Sequence, residues 1–321
     1  MLMAVCHSSQ TGWTEVEELE RLSDLRAQAG NVLWAEADVA SLTPEDIETI
    51  AEEFGLHPLA VEDAINTRQR PKVESYEGHL FIVFHQLDEV DGQLEACQIA
   101  CFIGDRYVLA LHDHADRLLE NAKKRFSEEG ARLDSPAFLV YTMLDVVVDD
   151  YQEKADSLEL ETEELEELVL ASPTAPIQRQ LYSTKQRIAR LRRYVMPGSR
   201  LLEWLLAPSH SLFSEDSSER FRDIHDHLLR MVDQIRNIDE LTDAILNLVR
   251  SEQANALNDV NKRLAAWAAI FGVGTFIAGV YGMNFTLVPR DQTLFGFWFA
   301  IALMALSSGG LYAYFKRRGW L

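Results

Sequence analysis

Two stretches without a charged residue, Leu264 to Met283 and Leu294 to Phe315, constrain this chain more than any other feature of its sequence. Each is about 20 residues long, the length a helix needs to cross the hydrocarbon core of a bilayer. The chain is therefore expected to be an integral membrane protein, with a first transmembrane helix over 264–283, a short loop over 284–293 and a second span over 294–315. Lys262 and Arg263 precede the first span, and Lys316, Arg317 and Arg318 open the basic tail 316–321. By the positive-inside rule both termini face the cytoplasm and the loop lies outside. The opening Met1-Leu2-Met3-Ala4-Val5-Cys6 has no basic region or long apolar stretch of the signal-peptide kind, so the large polar part is expected in the cytoplasm and the protein in the plasma (cell inner) membrane.

That polar part is strongly acidic: 51 Asp and Glu stand against 30 Lys and Arg, a formal net charge of -21. Such a balance argues against a nucleic-acid partner, because phosphate binding needs an excess of basic residues, and it suits cations. No phosphate loop or nucleotide fingerprint is present, which weighs against nucleotide binding and an ATP-driven pump. Cys6, Cys97 and Cys101 fall in a reducing compartment, where a disulfide framework is not expected.

Residues 1–135 alternate strand-like and helix-like patterns. Asn31 to Trp34, His79 to Gln86, Ala96 to Ile103 and Tyr107 to His112 read as strands. Thr43-Pro44-Glu45-Asp46 reads as a capped helix start, with Gly55 as its end. A mixed sheet flanked by helices, an α+β domain, is the packing these elements favour. Over 136–213 the pattern becomes a helical hairpin with an acidic arm (Glu153 to Glu167) and a basic arm (Arg179 to Arg193), broken at Ala171 to Pro176. From 214 a long stalk helix is expected. Ile224, Leu228, Met231, Ile235, Ile238, Ile245 and Val249 follow coiled-coil-like spacing with Thr242 in the polar slot, and the stalk runs through 263 into the first span.

On that helix Asn258, Asn261, Ala265, Ala268, Gly272, Thr275, Gly279 and Gly282 form one stripe at spacings of three and four, every member small or polar. Trp267, Ile270, Phe271, Phe276 and Ile277 fall elsewhere. Two readings stand side by side. The stripe either packs helices closely, through the pairs Ala268-x3-Gly272 and Thr275-x3-Gly279, or it is a water-accessible pore wall. Two helices cannot enclose a pore, so the second reading requires a ring of subunits.

The order charge-free span, Tyr281-Gly282-Met283-Asn284-Phe285, second span, and Phe315-Lys316-Arg317-Arg318-Gly319-Trp320-Leu321 resembles the CorA magnesium channel family. The resemblance extends to Gly55 to Asp63, Gln69 to Glu74, Leu144-Asp145 with Val148 to Tyr151, and Phe221 to His227. It implies a homopentameric funnel with the α+β domain, hairpin and stalk in the cytoplasm. It also implies a selectivity filter at Gly282, Met283 and Asn284, and a pore lined by Asn258, Asn261, Leu264, Ala265, Ala268, Gly272, Thr275 and Gly279. Magnesium sheds its water reluctantly, so a ring of neutral Asn284 carboxamides can select the hydrated ion without stripping it. Leu264 is positioned to close such a pore by dewetting. Glu62, Asp63, Asp145, Asp223 and His227 match positions where the family holds regulatory divalent ions between neighbouring domains, so that bound magnesium would tie subunits into a closed state.

Three features depart from the family pattern. Asn261 and Gly272 occupy pore positions that are commonly bulky and apolar, Thr286 and Arg290 stand where the outer loop usually carries acids, and Val273 replaces a common proline. The implied function is a channel for magnesium, with cobalt or nickel as further ions, gated by cytoplasmic magnesium. The rivals are a zinc transporter of the same superfamily, with or without proton coupling, which Met283 disfavours, and a membrane-anchored scaffold or sensor without ion flux. His112-Asp113-His114-Ala115-Asp116 and His225-Asp226-His227 have the close spacing of metal ligands, yet no nucleophile accompanies them, and a turn between strand and helix explains the first. Cys97 and Cys101 share a strand face with Ile99 and Ile103 and read as core thiols.

Overall fold

The computed structural model describes residues 3–8, 12–16, 31–129, 136–171, 175–207, 215–283 and 294–321. By internal contacts the chain divides into two compact units, Met1–Ala244 and Ile245–Leu321.

The N-terminal unit is built on a seven-stranded sheet, in the order β2-β1-β3-β7-β6-β5-β4. The strands are β1 (Met3–Ser8), β2 (Gly12–Val16), β3 (Asn31–Asp38), β4 (Lys72–Tyr76), β5 (His79–Val90), β6 (Gln93–Ile103) and β7 (Tyr107–His112). Only β3 and β7 pair in parallel, so the sheet is mixed, as the sequence implies. The four expected strands are all present. β5 and β6 are longer than expected because Asp91 and Gly92, at φ 51° and 72°, form a tight turn that lets pairing run to Val90 and Gln93. At the next turn a Cβ on Gly104 would collide with the Tyr107 ring, so only glycine fits there.

Strand alternation divides the core into two layers. Leu33, Ala35, Phe81, Val83, Ala100, Phe102 and Leu109 point to α1 (Pro44–Phe54) and α2 (Pro58–Ile65). Trp34, Leu80, Ile82, Phe84, Ile99, Cys101 and Val108 point to the opposite face, against α3 (Asp116–Glu129), α4 (Pro136–Ala171), α5 (Ala175–Leu205) and the first part of α6 (Glu215–Tyr281). The α1 start is the expected capping box: Thr43 and Asp46 satisfy each other's backbone N–H, and Gly55 ends the helix at φ 64°.

Helices α4 and α5 form the expected antiparallel hairpin, since Glu161 meets Thr184 and Arg187 while Val148 and Tyr151 share a lining with Tyr194 and Gly198. α5 continues through Pro197, with Val195, Leu201 and Leu202 buried on either side of it. The charge pairing differs from a simple acid-to-base zipper. Arg187 bonds Glu161 on the acidic arm, but Lys185 pairs with Asp239 and Asp243, and Arg192 with Asp239, all on α6. Most acids of α4 are instead a solvated face. The stalk residues Ile224, Leu228, Met231, Ile235 and Ile238 are buried as their spacing requires, and Thr242 donates to the Ile238 carbonyl at 2.8 Å.

In the C-terminal unit α6 continues without interruption to Tyr281, and α7 (Leu294–Arg317) follows. Both helices are long and apolar enough to cross a membrane. After α7 the chain turns at Gly319, and Trp320 stacks on Phe315 at 5.4 Å.

Candidate ion-conduction path and cation-sensing residues

Within the C-terminal unit, α6 presents two different faces. Ala266 and Ile270 are buried, Trp267 lies 6.4 Å from the Tyr312 ring, and Ser308 donates to the Ile270 carbonyl at 3.3 Å, so this face meets α7. A methyl group added at Gly274 would sit 3.9 Å from Ser308 Oγ, whereas at Gly272 or Gly279 it would meet nothing within 4 Å. Asn258, Asn261, Leu264, Ala265, Ala268, Gly272, Thr275 and Gly279 are all exposed in the single chain. The small-residue stripe is therefore not the surface on which the chain's own two spans pack. Thr275 donates back to the Phe271 carbonyl at 2.9 Å, which satisfies its proton and leaves its oxygen outward as an acceptor.

Gly282 and Met283 lie just beyond the last turn, their N–H groups bonded to the Ala278 and Val280 carbonyls. A side chain on Gly282 would come to 3.3 Å from the Ala278 carbonyl oxygen, a tight contact. Asn284, together with Thr286 and Arg290, lies outside the described residues.

The five expected sensor residues do not converge within one chain. Glu62 and Asp63 are neighbours on α2, and Asp63 is already engaged, accepting from Gln69 Nε2 at 2.8 Å and from Lys72. Asp145 on α4 is held by Arg125 of α3, which also reaches Asp149 at 2.9 Å. Asp223 and His227, one turn apart on α6, are 3.7 Å apart, and Glu62 and Asp223 are exposed. Within one chain they are thus two exposed acids, Glu62 and Asp223, and two carboxylates, Asp63 and Asp145, whose charge is offset by Lys72 and Arg125. Lys72 and Arg125 escape sequence reasoning as partners, since they lie nine and twenty residues from their acids and no helical or strand spacing links them.

Among the described residues, the metal-ligand types whose donor atoms converge are Asp38, Asp113 and His114. The motif set aside in sequence does form the turn between β7 and α3, with His114 at φ 55° and the Ala115 N–H donating to His112 Nδ1 at 3.2 Å. Its proximity to Asp38 comes from the parallel β3/β7 pairing, which no local motif reveals. His225 lies 3.5 Å from Ser199 Oγ. Cys101 is fully buried and Cys97 partly so, facing Asp88 at 3.6 Å; burial first, and then that carboxylate, push the Cys97 thiol up to about 12.

The chain is 30% identical over 279 residues to the cobalt/magnesium transport protein CorA of Thermotoga maritima, covering 86% of this chain and 80% of that one. Its fold superposes on the complete CorA magnesium transporter of Methanocaldococcus jannaschii with a TM-score of 0.81 at 20% identity, over 99% of both chains. The ZntB cytoplasmic domain of Vibrio parahaemolyticus shares the fold at a TM-score of 0.63 and 12% identity, covering 79% of this chain and 99% of that one. The family described as CorA-like Mg2+ transporter protein matches residues 30–317. Two apolar helices, an uncovered small and polar face and this match over nearly the whole length lead to one conclusion: the chain belongs to the CorA-like Mg2+ transporter family, and is a membrane protein for divalent-cation transport and not an enzyme.

Proposed function

We propose that the protein is a homopentameric magnesium channel of the plasma membrane, with both termini in the cytoplasm, admitting cobalt and nickel as further ions and closing when cytoplasmic magnesium is high. The observation that carries this reading is the stripe from Asn258 to Gly279, left open while the neighbouring Ile270–Gly274 face packs on α7. A face of small and polar groups that is not used inside the chain is suited to water and to symmetry-related copies. In sequence Asn284 comes directly after Gly282 and Met283, and in this reading it supplies the ring of carboxamides. The names carried by relatives that transport cobalt and magnesium support the choice of ion. The membrane potential drives entry: a divalent ion gains about 4.6 kcal/mol per 100 mV, twice the value for one charge.

Gating follows from the exposed acids. Glu62 and Asp223 are exposed, and a hard cation shared between copies would remove their mutual repulsion and favour the joined state. Loss of that ion frees the copies to separate. The decisive experiment is uptake into proteoliposomes of magnesium and of zinc, with and without a pH gradient, for the wild type and Asn284→Ala. Magnesium entry without a pH gradient, lost in the variant by about tenfold or more, equal to roughly 1.4 kcal/mol in the barrier, is the expected result. Undiminished magnesium flux in the variant overturns the filter. Zinc flux that requires the pH gradient replaces the reading with a proton-coupled zinc transporter, and absence of any flux points to a scaffold.

A further inference from the structure

Between strand β5 and helix α4 lies a cleft of about 690 Å³. At roughly 30 Å³ per water it has room for a cation with its complete first hydration shell. Its strand wall carries Gln86, Asp88 and Glu89, and its helix wall Asp149, Asp150 and Glu153; Lys154 and Arg187 are the basic residues lining it. Five carboxylates therefore face two cations. Some of that charge is spent locally, because Asp149 is bonded to Arg125 and Glu89 lies 3.4 Å from Arg187. Among the described residues Asp88 accepts from Gln86 Nε2 at 2.7 Å and from the Cys97 thiol, contacts that orient a carboxylate without neutralising it.

Two buried acceptors point to a ligand independently of the charge. Gln86 is 6% exposed, and among the described residues its carboxamide oxygen has no hydrogen-bond donor. With its NH2 turned to the Asp88 carboxylate, the orientation of the amide is fixed. Asp150 repeats the pattern: one oxygen takes Lys154, while the other is buried with no donor among the described residues. A buried acceptor left unmatched costs about 1–3 kcal/mol, and two on one cleft call for a positive or proton-rich occupant. The ligands offered by the two walls are carboxylate and carboxamide oxygens, which favours a hard ion over a soft one.

We propose that this cleft binds one hydrated hard divalent cation within a single chain, held by Gln86 Oε1, Asp88, Asp150 and Glu153, and clamping the end of strand β5 to helix α4. The site shares no residue with Glu62, Asp63, Asp145, Asp223 or His227, and it stands whether or not the pore conducts as proposed above. His114 opens onto the same cleft, with Asp38 at 3.3 Å and Asp113 at 3.8 Å, which adds acids at its rim. Ion binding here adds a second level of cation response, internal to each subunit.

The test uses the full-length protein in detergent and Mn2+ as the probe, with bound ions counted and their affinities read by electron paramagnetic resonance. Glu153 is exposed, so Glu153→Gln leaves the fold intact; Asp88→Asn removes charge from the strand wall. Each is expected to weaken one class of bound Mn2+ by about 10–100-fold, and Asp223→Ala to leave that class unchanged. Fe2+ with ascorbate in place of Mn2+ is expected to cut the backbone near Gln86–Glu89 and Asp149–Lys154. Wild-type Mn2+ occupancy and affinity in both Glu153→Gln and Asp88→Asn, or cleavage confined to other segments, overturns the site.

Discussion

The two units of this chain bury opposite kinds of side chain. In Met1–Ala244 the large apolar residues are inside, Phe81, Phe102 and Trp34 having no exposed surface, and the acids lie outside or in ion pairs. In Ile245–Leu321 Phe276 is 72% exposed and Leu294 83% exposed. Backbone groups, by contrast, are satisfied internally in both, by a paired sheet in one and by helices in the other, as lipid demands. The difference shows what each unit needs from outside itself. The first completes its own core, whereas the second leaves its apolar faces and its small, polar stripe uncovered within one chain.

The same truncation made in both units should have very different effects. Phe81, packed on Phe102 at a centroid distance of 4.9 Å, is expected to lose about 3–5 kcal/mol on Phe81→Ala. Thermal unfolding of the full chain, read by alkylation of buried Cys101, should then occur about 10 °C lower, at roughly 2–4 °C per kcal/mol. Phe276→Ala should leave Cys101 labelling unchanged. An equal effect of the two would show that the units do not differ in this way.

Next in size is an acid response confined to the first unit. His85 is buried against Tyr194, ring centroids 4.7 Å apart; burial first, and secondarily Arg193, lower its pKa to about 4 against a partial offset from the Gln69 backbone. The unfolded chain therefore takes up a proton near 6.5 that the folded one refuses until about 4. His85 thus contributes stability above 6.5 that is lost as pH falls through this window, at most about 3 kcal/mol at 1.36 kcal/mol per unit. His85→Phe should flatten that part of the pH profile of Cys101 labelling, and an unchanged slope would remove His85 as its cause.

Most of the fold is legible where local chemistry decides it. The α1 capping box, the β7 strand and the unbroken α6 are each set by residues within a few positions of one another. β1 and β2 lie in the first thirty residues, where no clear alternation marks them, and β4 is a short edge strand of mixed character. The stripe on α6 is legible as a pattern, but not its use: only the positions of Ser308 and Tyr312 show that the chain's own second span takes the adjacent face. Likewise Lys72 on Asp63 and Arg125 on Asp145 are tertiary pairings, and so is the meeting of Gln86 with Asp150 across the cleft.

Smaller in stability but clear in function is the contrast between two glycines on one helix. Gly272→Leu places a bulky group in open space on the stripe, so it should leave the protein folded and in detergent solution while reducing magnesium flux several-fold. Gly274→Leu grows toward Ser308 and should disturb the packing of α6 on α7, lowering recovery of folded protein. Matched flux losses with matched recoveries would erase the distinction between the faces.

The smallest expected effect tests the proposed sensor acids. Asp223 and His227 are largely exposed, and a surface pair of this kind contributes about 0–1 kcal/mol, so Asp223→Ala should scarcely change Cys101 labelling. Its consequence should appear only where an ion is shared between copies. Removing one carboxylate from such a site lowers the affinity of the closed state for magnesium, and a ligand shifts an equilibrium only by its differential affinity for the two states. Inhibition of uptake by magnesium on the cytoplasmic side should therefore need a several-fold higher concentration in the variant, with maximal flux unchanged. Because Asp63 is already bonded to Lys72, Lys72→Met should act in the opposite sense, freeing that carboxylate and lowering the inhibitory concentration. If both substitutions leave the inhibitory midpoint where it is, these acids are a solvated surface, and the response to magnesium arises elsewhere.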